Sequence, residues 1–183
     1  MASFAERMTG AMKADVRTFE EIEADQTALP QAVAVIVIAG IASLIGNVFR
    51  MGIIGGFMML LVNVCAYALY ALIVVLIGTK VMPEPTTKAD FNEGFRVVGF
   101  TAAPGLFNVL AILPFLGPLI SFVIWIWMVV VGVVAVRQVL DYSNTARAII
   151  VCLICAVVCW FITSAVLIPL FIGRAIMRGV TGY

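Results

Sequence analysis

Hydrophobic and polar positions fall into long blocks. Residues 1–29 are mostly polar, and from Pro30 onward apolar runs alternate with short polar connections. Each run is close to, or longer than, the roughly 20 residues a helix needs to cross a bilayer. The pattern predicts spans at about 32–49, 53–78, 97–113, 118–136 and 148–172. The organisation that follows is an amphipathic tail (1–29), a five-span membrane domain (30–173) and a short basic tail (174–183). The expected fold class is an all-α integral membrane protein with five transmembrane helices and a short amphipathic N-terminal helical tail. The middle is Gly94–Tyr142, with Arg96 at one end, Arg137 and Asp141 at the other, and no charge between. Pro114-Phe115-Leu116-Gly117-Pro118 interrupts it, since proline lacks the N–H and clashes with the preceding turn. A hairpin that enters the membrane, turns at the far face and returns is predicted.

The tail carries helix signals. Ser3 and Glu6 have capping-box spacing, and Phe4, Met8, Ala11 and Met12 share one helical face. Thr18-Phe19-Glu20-Glu21 repeats the capping pattern, and Asp25 and Thr27 are positioned to cap the first span. A short helix resting on the membrane surface or on the protein's own loops is expected, since six acidic residues against three basic ones disfavour anionic lipid. In the first span Ala39, Ala42, Ser43 and Gly46 form small-xxx-small pairs that admit a close neighbour. Arg50-Met51-Gly52 is a very short connection, and Lys80–Arg96 is the longest internal loop. Pro104-Gly105 breaks the third span and leaves the Phe100 carbonyl without its helical donor, with Thr101 near enough in sequence to help. Asn47, Asn63 and Asn108 are expected to hydrogen-bond across helix interfaces or to line a polar path.

Composition agrees with the blocks. The chain is 64% hydrophobic and 11% charged, against about 25% charged in soluble domains. The net charge of +1 supplies no basic field for nucleic acid. Histidine is absent, which removes the usual general base and the commonest metal ligand. Cys65, Cys152, Cys155 and Cys159 lie in apolar runs, and the last three share one helix face as small packing residues rather than a metal site. No signal peptide or lipidation motif is visible. No phosphate loop, nucleophile elbow or zinc-protease motif occurs, so no enzyme, catalytic residue, metal or cofactor is expected.

Lysine and arginine placement sets the orientation. With a cytoplasmic N-terminus, Arg7, Lys13, Arg17, Lys80, Lys88, Arg96, Arg137 and Arg147 are cytoplasmic, and Arg50, Arg174 and Arg178 lie outside. The expected localisation is a prokaryotic cytoplasmic membrane, N-terminus inside and C-terminus outside. At the cytoplasmic end, Glu93 with Arg96 and Arg137 with Asp141 have the spacing of helical ion pairs. Together with Tyr142, Pro104 and Asn108 they form the candidate interaction or structural-clamp set.

The polar tail ending in TFEEIEADQTALPQA, the segment GFRVVGFTAAPGL and the segment VAVRQVLDYSNTARA, set in a five-span layout, resemble the Yip-type domain of the Ypt/Rab-interacting proteins. The short loops look like those of a bacterial or archaeal member. Eukaryotic relatives associate with Rab GTPases and with one another in vesicle traffic, but their N-terminal tails are longer and a prokaryotic cell has no Rab cycle. The resemblance therefore implies the fold and a membrane-organising role with lipid, a membrane-protein partner or another copy as partner. Two functions follow as expectations: a scaffold or assembly factor, or a homo-oligomeric transporter or channel using the Pro104 break.

Overall fold

The computed structural model describes residues 2–113 and 115–181, with side chains as far as Ala165 apart from Thr163. The described residues are helical, with no strand among them. Helix α1 (Phe4–Met12) begins with a complete capping box: the Ser3 hydroxyl accepts from the Glu6 N–H at 3.3 Å and the Glu6 carboxylate from the Ser3 N–H at 2.7 Å. Helix α2 (Val16–Ala24) starts earlier than the Thr18 spacing predicts. Ala14 turns the chain at φ +55°, Asp15 becomes the N-cap residue, and the Thr18 hydroxyl donates to the Asp15 carboxylate at 2.7 Å.

Helix α3 runs from Ala28 to Leu76, 49 residues. Straight, it would measure about 74 Å, more than twice the hydrocarbon thickness of a bilayer. It bends back at Gly52, whose φ of 68° and ψ of 172° lie in a region open essentially to glycine alone. Leu60 lies against Gly40 and Leu44 against Gly56, so the arms 28–51 and 53–76 run antiparallel. A π-helical turn (Ile77–Val81) leads into a loop. That loop is shorter than expected: α4 (Phe91–Phe100) begins at an Asp90/Glu93 capping box, which puts Arg96 inside a helix and buries it.

After α4 the chain tightens into a 3₁₀ helix (Ala103–Ile112). Pro104 has no N–H for the Phe100 carbonyl, and the backbone takes i→i+3 bonds instead, from Thr101 to Val98 and from Ala102 to Gly99. The Thr101 hydroxyl donates to Val98 at 2.6 Å, so it does not serve the Phe100 carbonyl as its sequence position suggested. Ten 3₁₀ residues reach about 20 Å, compared with about 15 Å for an α-helix.

Among the described residues, four segments are long and apolar enough to cross a membrane: Ala28–Val81, Phe91–Ile112, Gly117–Val139 and Thr145–Ile162. The second has 67% of its most apolar stretch buried, against 22%, 22% and 17% for the others. It is therefore the axis of the bundle, and the rest expose a side to lipid. Both arms of α3 and helix α5 (Gly117–Val139) pack around it. Helix α6 (Thr145–Thr181) packs on α5 and α3. It starts and ends beyond the predicted 148–172 boundaries, so most of the predicted C-terminal tail is helical. Pro114 and the side chains of Arg174 and Arg178 lie outside the described residues.

Candidate functional site

Three polar segments meet at one end of the bundle and form a cap. The tail is held by Arg7, which is 1% exposed; it donates to Glu21 at 2.9 Å, Asp25 at 2.6 Å and Gln31 at 3.2 Å. The Ala2 N–H joins at Glu21, 2.8 Å away. Phe4 packs on Phe100 with ring centroids 6.5 Å apart, and Trp127 on α5 donates its indole N–H to the Met12 carbonyl at 2.8 Å. The tail helices rest on their own bundle. The loop after α3 is tied to the turn between α5 and α6. Thr87 donates to the Leu140 carbonyl at 2.7 Å, the Tyr142 hydroxyl to Met82 at 2.8 Å, and the Ser143 N–H to Glu84 at 3.1 Å. Arg147 completes this contact with an ion pair to Glu84 at 3.4 Å.

The predicted ion pairs do not form. Glu93 is occupied by its capping box, accepting from the Asp90 N–H at 3.0 Å. Arg96 turns the other way and donates to the Glu23 carbonyl at 2.5 Å, so it ties α4 to the tail. Asp141 lies beyond the end of α5 at φ +50°, which takes it off the helical face of Arg137. Arg137 donates instead to the Tyr142 carbonyl at 3.2 Å. Arg137, Asp141 and Tyr142 still meet, because they line one cavity of about 400 Å³ with Ala14 and Val16 of the tail. Pro104 and Asn108 lie elsewhere, along the bundle axis.

The cap's electrostatics centre on Glu23. Burial, reinforced by the nearby carboxylates of Asp141 and Glu93 and opposed by Arg96, pushes its carboxyl up to about 7. Asp25 moves the other way, down to about 2, because the Thr27 hydroxyl and then Arg7 bond its charged form.

Inside the membrane domain the asparagines depart from expectation. Asn47 donates within its own helix, to the Ser43 carbonyl at 3.0 Å. Asn63 and Asn108 make no side-chain hydrogen bond among the described residues, and both face one cavity of about 220 Å³. Gly46 brings α3 and the 3₁₀ helix so close that an added Cβ would overlap the Asn108 carbonyl oxygen. Cys152 and Cys155 are buried where α6 meets the bundle.

Sequence reasoning missed Arg7, Glu23, Glu84 and the Asp90 cap. Only the last had a local signal, since Asp90-x-x-Glu93 is itself a capping-box spacing. The other three act on residues far away in the chain. Residues 10–166 match a family described as the Yip1 domain. No curated protein and no solved structure matches the chain.

Proposed function

The chain belongs to the Yip1 domain family, and from that premise we propose that it is a membrane-embedded scaffold or assembly protein without catalytic activity. Its working surface is the cap, facing the cytoplasm. The antiparallel arms of α3 supply two crossings, and the broken α4–3₁₀ segment, α5 and α6 supply three more, which gives five. Lysine and arginine placement supports a cytoplasmic N-terminus.

The observation that carries this reading is the knitting of the tail, the 82–90 loop and the 140–147 turn into one fixed face by cross-segment hydrogen bonds. A surface ordered before binding pays less entropy on association than a flexible one. Lys88, Arg137 and Asp141 are exposed on it. A tagged copy crosslinked in native membranes tests the reading. The wild type should retain a stoichiometric membrane-protein partner or a second copy, and a folded Asp141→Lys variant should lose it. Equal recovery by both would refute the cap as the working surface.

A second reading, a small transporter, draws support from Asn63 and Asn108 facing one cavity along the broken segment. Solute flux in liposomes, abolished by Asn63→Leu, would favour it over the scaffold.

A further inference from the structure

Two adjoining cavities lie within the membrane domain, away from the cap. The first, about 220 Å³, gathers Ser43, Asn63, Asn108 and Ser121 around one space. The second, about 420 Å³, is lined mainly by apolar groups, among them Met128, Val129, Val133 and Leu153. They share Asn63, Tyr67, Trp125 and Met128, so one polar space continues into one apolar space. Trp125 and Leu153, each 61% exposed, stand at the edge of the apolar part, on the side that faces lipid.

Two amides without partners at membrane depth are costly, because hydrocarbon offers nothing to bond them. Here Asn108, half-buried, and Asn63, exposed at the rim, line the same space and carry donors and acceptors together. No Lys, Arg, Asp or Glu lines either cavity. A phosphate or carboxylate headgroup would therefore sit in low dielectric without a counter-charge. The occupant needs an uncharged head with both a donor and acceptors, joined to hydrocarbon chain.

We infer that these joined cavities bind a neutral diacylglycerol-class lipid. The Asn63 and Asn108 amide N–H groups donate to its ester carbonyls, an amide oxygen accepts from its free hydroxyl, and its acyl chains fill the apolar cavity. A long-chain alcohol has the hydroxyl but lacks the carbonyls, and a free fatty acid is charged at neutral pH.

The test uses the full chain in phosphatidylcholine nanodiscs with a photoactivatable diacylglycerol analogue. Wild type should label saturably, with adducts on peptides around residues 63–70, 125–133 or 149–159. Excess dioleoylglycerol should compete, and dioleoylphosphatidic acid should not. Gly132 lines the apolar cavity, and a Cβ there meets nothing within 4 Å. Gly132→Phe should fill the space without pushing the backbone and lower labelling by about tenfold or more, the factor set by 1.4 kcal/mol. Asn63→Leu and Asn108→Leu should each weaken labelling by about threefold to tenfold. Four results overturn the inference: no saturable labelling of wild type, adducts only outside those peptides, equal competition by phosphatidic acid, or full labelling of a folded Gly132→Phe. Should Gly132→Phe fail to fold, the wild-type adduct sites and the competition pair decide the matter alone.

Discussion

Replacing Arg7 with methionine removes the guanidinium and keeps most of its apolar stem. In the native cap this group is 1% exposed and donates to Glu21, Asp25 and Gln31. Hydrogen bonds to charged groups contribute about 1.5–3 kcal/mol each. The sum overstates the effect, since burying the cation is itself costly and Glu21 is 37% exposed and can rehydrate. Breaking one side of a buried pair typically costs about 3–5 kcal/mol, and the exposure of Glu21 argues for the lower end. About 3 kcal/mol lowers the ratio of docked to undocked tail by about 150-fold. Hydrogen exchange of amides 4–24 in nanodiscs reads this directly, because opening of the tail sets their protection. Arg17→Met is the control, since Arg17 is exposed and forms no ion pair among the described residues. Arg7→Met should lose protection across both α1 and α2 while the control keeps it. Unchanged protection in Arg7→Met would refute the reasoning that this cluster holds the tail.

Two further perturbations follow from the same geometry. Burial, with Asp141 and Glu93 nearby and Arg96 opposing, holds the Glu23 carboxyl at about 7 while α2 is docked, and it returns to the ordinary carboxylate range when α2 leaves. Docking is therefore most stable below that range and weakens as pH rises through about 7; protection of α2 amides, taken relative to their intrinsic base-catalysed exchange, should fall between pH 5 and 8, and Glu23→Gln should flatten that profile. Gly46→Ala forces α3 away from the Asn108 carbonyl and should cost about 1–3 kcal/mol, seen as a lower unfolding temperature in detergent.

The sequence and the structure agree where the controlling physics is local. Ser3 and Glu6 announce α1 because both halves of a capping box lie within one turn. The charge-free runs announce the membrane helices because lipid imposes a length. Pro104 announces a break, though not that the chain continues as 3₁₀ helix. The ion pairs failed because spacing alone does not fix where a helix ends: α5 stops at Val139, two residues before Asp141. Arg96 had a spacing partner in Glu93, but the capping box took that carboxylate and the tail offered a carbonyl. The cap was hidden because its ties join residues far apart in sequence, such as Tyr142 to Met82 and Arg96 to Glu23.

Site-specific photocrosslinking in living cells tests the scaffold most directly. A photoreactive residue is placed singly at Lys88, at Asp141, or at Phe115 on the opposite end, which is 98% exposed. A scaffold working through its cap should give one defined adduct, of the same mass and composition, from Lys88 and Asp141, and none of that mass from Phe115. Defined adducts from Phe115 with none from the two cap positions would contradict it.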